Sequence, residues 1–307
     1  MSSFLRSPWV RHGLRLLPLV LLVVVFARQK PWAASFTPPS LAAGLAMVAL
    51  NFLIYIPTKA WRWKLALTSP PPFATLVASL LEGWLAGAAV GFGSADIVRV
   101  VRLRGHANAL AADYGAGVAE RGAELVAMAV LLAVGALAGD LGWLALAGAG
   151  AILAGYAVVL LFGARIAPLL RRWPRIATAL DAGLAASKPR VVVKMTVLSL
   201  AGWGCEVLML AIGLHSAGLP ADAGTALLVL IGINVAILLP GPPANLGTLE
   251  AGVVAALGLR GVKVEPALMF AVGYHLILSA PVVVAGAVVF FARGGSRNAP
   301  PAAPERR

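Results

Sequence analysis

Residues 223–261 read AGTALLVLIGINVAILLPGPPANLGTLEAGVVAALGLRG. The apolar run Ala223–Leu239 holds 17 residues, whereas a helix needs about 20 to cross a bilayer's hydrocarbon. It stops at Pro240-Gly-Pro-Pro243, where three prolines remove backbone donors, and Gly241 and Gly247 permit sharp turns. A second apolar stretch, 248–260, follows with one acid, Glu250. In water this pattern reads as a kinked core element. In lipid it reads as two half-helices meeting at a break inside the membrane, so the surrounding solvent decides the fold.

Composition identifies that solvent. Of 307 residues, 60% are hydrophobic and 12% charged, with a mean hydropathy of +0.90. Soluble chains hold roughly 45–50% apolar and about 25% charged residues. A soluble particle could not hide this much apolar surface, which excludes a soluble enzyme, intrinsic disorder and a secreted disulfide scaffold. The expected class is all-α, a polytopic integral membrane bundle. The net charge of +13 sits between apolar runs, where it sets topology and meets anionic headgroups rather than nucleic acid. The single cysteine, Cys205, precludes an intrachain disulfide and lies inside an apolar run, as a small core residue does.

Working outward, the other apolar segments are 16–27, 40–56, 76–92, 109–139, 141–163, 191–214 and 267–291. Arg28 and Lys30 directly follow the first, where a cleavage site would need small residues, so it reads as an uncleaved span. Basic residues place the N-terminus, a Lys59-Arg62-Lys64 loop, the loop from Arg165 to Lys194 and the tail with Arg293 and Arg297 in the cytoplasm. The short connections at Asp140 and 220–222 carry no base and belong outside. These assignments agree if 76–104 and 223–260 are re-entrant hairpins, giving about six full spans, two hairpins and both termini inside. Eight plain spans satisfy the termini but place Arg99, Arg102 and Arg104 outside. The tryptophans, Trp32, Trp61, Trp63, Trp143, Trp173 and Trp203 among them, mostly fit an interfacial belt.

The hairpins resemble each other. Gly93-Ser-Ala-Asp96 runs on to Leu103-Arg104-Gly105, and Gly247-Thr-Leu-Glu250 to Leu259-Arg260-Gly261. Span, hairpin and span occurring twice with opposite polarity is the pattern of an inverted repeat; chance likeness between Gly- and Leu-rich segments is the alternative. Backbone breaks at Gly91, Gly93, Pro240, Gly241 and Pro243 persist in lipid where protein covers them or where they line a wet cavity. Charges at membrane depth are functional candidates: Glu82, Asp96, Glu120, Arg121, Glu124, Glu206 and Glu250. Glu120 and Glu124 share a helical face. Arg121 points elsewhere and is expected to be a buried counter-ion joining the halves through Asp96 or Glu250. Asp96 and Glu250 suit either substrate contact or capping of their own helices. His275, in Tyr274-His275, fits a packing role or a proton relay. The histidines are too scattered for a metal site, no G-x-x-x-x-G-K-S/T phosphate loop occurs, and no cofactor is expected.

The stretch Pro240-Gly-Pro-Pro243-Ala-Asn245-Leu-Gly247-Thr-Leu-Glu250 resembles the P-x-x-P-G-G/N-x-G-x-x-E signature of the lysylphosphatidylglycerol synthase transmembrane, flippase-like family, which forms the membrane part of the bacterial multiple peptide resistance factor. Residues 251–261 and Tyr274-His275 are similar as well. Gly93-Ser-Ala-Asp96-Ile-Val-Arg99 is similar to the family's G-E-x-x-R, and Glu120-Arg121 with Glu124 to its E-R-x-x-D. The resemblance spans about residues 40–290. Departures are Ala244 where glycine is usual, Asp96 for glutamate, and the missing proline before Gly91.

The resemblance implies a protein of the bacterial inner membrane that moves an amphiphilic lipid, a phospholipid or a polyprenyl-linked one, between leaflets. Residues 1–292 are then one transmembrane domain and 293–307 a basic Ala/Pro-rich disordered tail, with no fused synthase. Asp96, Arg99, Arg102, Glu120, Arg121, Glu124, Asn245, Gly247, Glu250 and His275 would handle the lipid, in a groove where the two breaks meet. Membrane lipids, and a separate lipid-modifying enzyme, are the expected partners. No nucleophile or metal constellation supports catalysis, so an enzyme with Glu120/Glu124 or Asp96/Glu250 as acid–base pair is a rival reading. A scaffold docking a cytosolic enzyme on its basic face is another.

Overall fold

The computed structural model describes residues 24, 40–67, 69–91, 93–103, 110–137, 142–166, 174–237 and 242–294. The expected first span apart from residue 24, the breaks at Pro240 and Gly241, and the tail beyond residue 294 lie outside the described residues. All regular structure among the described residues is helical.

Helix α1 (Leu41–Leu50) passes through a π turn (Asn51–Tyr55) into α2 (Ile56–Ala66). The hairpin α3 (Phe73–Val90) and α4 (Ser94–Val101) follows, and then α5 (Leu110–Leu137) and α6 (Gly142–Ile166). A short α7 (Pro174–Ala186) leads to α8 (Pro189–Ser216); the second hairpin, α9 (Ala223–Ile237) and α10 (Thr248–Gly258), precedes the long α11 (Val264–Gly294). Among the described residues, five helices are long and apolar enough to cross a membrane: 41–66, 73–90, 145–163, 189–216 and 264–293. Helix α5 is longer than three of them but carries Glu120, Arg121 and Glu124.

Three boundaries depart from the sequence reading. The Lys59-Arg62-Lys64 segment is helix α2, not a loop. Pro57 lacks an N–H and in a regular helix would crowd the carbonyl four residues back. The π turn ahead of it widens the ladder, with Ile56 N–H bonded to the Asn51 carbonyl, and the helix continues. The first hairpin arm starts at Phe73, so it holds 18 residues, about 27 Å at 1.5 Å per residue; its length reaches that of a short span. Helix α11 runs through Arg293 to Gly294, past the expected domain end. The basic 165–194 connection also contains α7, which packs on α5.

Each hairpin folds back on itself through small residues. A Cβ on Gly83 would meet the Ala95 carbonyl at 2.7 Å. In the second, Gly232 and Gly252 face each other so closely that a Cβ on either would strike the other's backbone. The two turns touch: a Cβ on Gly91 (φ +96°) would lie 3.3 Å from Pro243 N. One apolar core, with Met209, Leu230, Leu257 and Phe270, knits α8–α11. A second, with Trp63, Leu76, Leu103 and Ala119, knits α2, α3 and α5. The charged residues lie beside this second core.

Candidate functional site

The Gly/Ala-rich face of α5 (Gly115, Ala116, Ala119, Gly122, Ala123) lets its neighbours come close. Glu120 and Glu124, one turn apart, therefore reach α2 and α4 directly. Arg62 of α2 is buried among them. Its Nη2 donates to Glu120 Oε1 at 2.7 Å and Glu124 Oε1 at 2.6 Å, its Nε to Glu120 Oε1 at 3.1 Å, and its Nη1 to Ser199 Oγ at 2.9 Å. Four of the five guanidinium N–H groups thus have partners on α5 and α8. The other oxygen of Glu120 faces Arg99 Nη2 at 2.9 Å, and Arg99 lies over the Trp63 ring, 4.9 Å from its centroid, where the π face favours a cation. Trp63 is fully buried there.

Glu124 is divided in the same way. Its Oε1 meets Arg62 and, at 3.4 Å, Lys59 Nζ; its Oε2 accepts from Arg121 Nη1 at 2.8 Å. Arg121 also reaches Asp96 Oδ2 at 3.3 Å, and Asp96 Oδ1 meets Arg99 Nε at 3.3 Å. Single charges at membrane depth are costly; here each cation faces at least one carboxylate. A network of this kind is high-stakes, because truncating one member leaves another buried and unpaired.

Three members of the network, Asp96, Arg99 and Arg121, line a cavity of about 570 Å3 between α4, α5 and α6. Asp96, Arg99 and Arg121 supply its charged lining; Val100, Leu125, Ile152 and Val159 are among its apolar walls, and Gly117, Gly122 and Gly155 leave it room. Pockets for small ligands typically run about 300–1,000 Å3. A mostly apolar cavity that also presents charged side chains matches the mixed polarity of an amphiphile.

The structure joins Asp96, Arg99, Glu120, Arg121 and Glu124 but leaves the other anticipated residues elsewhere. Arg121 is not a buried counter-ion: its side chain is 63% exposed, and its partners are Asp96 and Glu124, not Glu250. Arg62 takes the buried role. Arg102 turns to the fully buried Glu82, Nε to Oε2 2.9 Å, and lies over Phe290 of α11. Glu250 accepts the Gly247 N–H at 2.6 Å and meets His275 Nδ1 at 2.7 Å. It thereby caps α10 and ties it to α11, and neither Glu250, Asn245 nor Gly247 lines the cavity. The Asn245 carbonyl accepts from Thr248 Oγ1 at 2.7 Å, and Pro243 starts the short turn that touches Gly91. The turns meet, but the charged cavity lies to one side of them.

Sequence reasoning passed over Arg62, Lys59 and Ser199. Basic residues after an apolar run read as a cytoplasmic flank. Among the described residues no group of three His, Cys, Asp or Glu could hold a metal.

No curated protein and no solved structure matches the chain. The family of the lysylphosphatidylglycerol synthase TM region matches residues 13–286, nearly the whole chain including the charged helices and both hairpins, and the protein is a member of that membrane family.

Proposed function

We propose that the protein binds a phosphate-bearing amphiphilic lipid in the α4–α5–α6 cavity and moves it between the leaflets of the bacterial inner membrane, with both termini in the cytoplasm. The observation that carries this reading is the cavity itself: about 570 Å3, with a mostly apolar lining that includes Arg99, Arg121 and Asp96. The exposed Arg121 is the guanidinium free to exchange a carboxylate partner for a phosphate, since planar bidentate donors suit both. Asp96, 48% exposed and held by two arginines at 3.3 Å, is the partner most readily displaced. Glu120 and Glu124 are fixed between cations on both oxygens, an arrangement that holds a site in shape and suits poorly a proton shuttle acting on substrate.

Purified protein in liposomes tests the reading with fluorescent phosphatidylglycerol. Exchange between leaflets above that of empty vesicles supports it. New lipid products would identify an enzyme instead. Neither exchange nor products, with capture of a cytosolic lipid-modifying enzyme on the 165–194 face, would identify a scaffold.

A further inference from the structure

The lipid-sized cavity is open along one side. On α5, Gly117 faces α4, since a Cβ there would lie 3.6 Å from Arg99 Nη2, and Gly122 faces α6, where a Cβ would strike the Tyr156 ring. At 3.6 residues per turn, Val118, Arg121 and Leu125 fall between these two directions. All three line the cavity and all three are exposed. Helix α5 is thus the floor of a groove, with α4 and α6 as its walls. On the α6 wall, Ala151, Gly155 and Val159 line the same cavity and are exposed as well. Only 6% of the apolar span of α6 is buried inside the protein, so the outer side of this wall meets lipid.

The groove runs lengthwise along these helices. Gly115 and Gly163 both abut α7, and Gly122 abuts Tyr156, so α5 and α6 are antiparallel. Val118 and Val159 therefore mark one end of the groove, and Leu125 and Ala151 the other. Each side extends about 10–12 Å at 1.5 Å per residue, and the 8 residues of α4 match that length. Arg121 stands between Val118 and Leu125, about one turn from each, and within one turn of the middle of the 28-residue α5. In α6 the charged residue is Arg165, beyond the groove. An anion in the groove therefore meets an exposed guanidinium midway, with apolar side chains at both ends.

We propose that this groove takes an anionic phospholipid by its headgroup alone, sideways from the bilayer. The phosphate passes Arg121 midway, and the acyl chains stay outside in the surrounding lipid. A volume of about 570 Å3 is that of a pocket for one small ligand, which suits a headgroup and leaves the chains to the open side. A charged group at the bilayer centre is costly, and a guanidinium at the midpoint of the path lowers that cost where it is greatest. The substrate class is then set by headgroup charge and size, not by acyl length. This inference rests on the lipid-transport reading above and adds which part of the lipid the protein handles.

The test compares phosphatidylglycerol carrying one fluorophore on an acyl chain with the same lipid carrying it on the headgroup, in liposomes with the full-length wild-type protein. The chain-labelled lipid should exchange between leaflets, at a rate unchanged by shorter or longer acyl chains. The headgroup-labelled lipid should exchange no faster than in empty vesicles. Ala151→Trp and Val159→Trp place a bulky ring at opposite ends of the groove, on residues already exposed. Each alone should remove most exchange, while binding of the chain-labelled lipid in detergent, at Arg121, persists. Leu161→Trp, on an exposed residue of α6 outside the cavity lining, should exchange lipid as wild type does. Headgroup-labelled lipid moving as fast as chain-labelled lipid overturns the groove and leaves transport standing. So does wild-type exchange in both end variants with an unchanged unfolding transition. The comparison of labels needs no variant, so it decides the matter even where a tryptophan prevents folding. Absence of exchange for every lipid with wild type overturns the transport reading itself.

Discussion

Arg62 and Glu120 stand 58 positions apart in the chain, and Arg62 donates to a single oxygen of Glu120 twice, from Nη2 at 2.7 Å and Nε at 3.1 Å. This contact fixes α2 against α5 and leaves the other Glu120 oxygen to Arg99. Breaking a buried pair by removing one partner typically costs ~3–5 kcal/mol. Arg62→Ala should therefore lose stability on that scale, as measured by denaturant titration in mixed micelles. Arg62→Lys should recover part of it, because one ammonium cannot reproduce four oriented donors. Arg62→Met with Glu120→Gln should cost less than the sum of the two single changes. Strict additivity would show that the pair does not act as a unit.

Arg121 should behave oppositely. Its side chain is 63% exposed, and ion pairs of exposed groups contribute about 0–1 kcal/mol. Arg121→Ala should leave thermal stability within that range and reduce leaflet exchange of an anionic lipid. A collapse in folded yield would return Arg121 to the structural role that its sequence context suggested.

What could be read beforehand is whatever sequence encodes locally. The Pro240–Pro243 break, the glycines around it and the apolar arms of unequal length carry their meaning in a few neighbouring residues. The shared face of Glu120 and Glu124 follows from helical spacing alone. Arg62 could not be found that way. Its partners lie 58, 62 and 137 positions away, and its helix, which runs on past Pro57 behind the π turn at 51–55, lies where the basic residues alone suggest a loop. Glu250 shows the converse: its capping position was legible, but the choice between cap and lipid contact depended on where His275 sits.

Glu250 accepts from the Gly247 N–H and binds His275, away from the cavity. Glu250→Gln should lower thermal stability, since loss of a charge at a helix N-terminus costs about 0.3–1 kcal/mol and up to ~2 when partly buried. Exchange per folded molecule should persist. Abolished exchange with unchanged stability would place Glu250 in the lipid path.

Ala244 occupies the left-handed region, φ 56° and ψ 12°, at the turn that touches Gly91. A non-glycine residue held there is strained by roughly 1–2 kcal/mol. Glycine, the residue usual at this point of the motif, relieves the strain but gives the unfolded chain more freedom, by about 0.5–1 kcal/mol. Ala244→Gly should therefore stabilise by up to about 1 kcal/mol, read as a shift in denaturation midpoint. A loss of stability would mean that the Ala244 methyl group makes contacts outweighing the strain.

Gly155 gives the most direct test of the cavity. It lies on α6 in the cavity wall, and a Cβ there would meet nothing within 4 Å. Glycine is also the poorest helix former after proline, about 0.8–1.0 kcal/mol worse than alanine. Gly155→Leu should thus fill cavity space with no loss of stability and a small gain in helix propensity. Gly122→Ala is the contrasting change, because its new methyl would press on the Tyr156 ring across the α5–α6 contact, so that stability and cavity shape change together. If lipid occupies this cavity, Gly155→Leu should weaken binding of fluorescent phosphatidylglycerol and slow its exchange while the unfolding transition stays in place or moves upward. An unfolding transition at the wild-type position, combined with wild-type binding and exchange, would mean that the lipid travels elsewhere on the protein, and the ion pairs among Arg99, Arg121 and Asp96 would then serve only to hold α4 against α5.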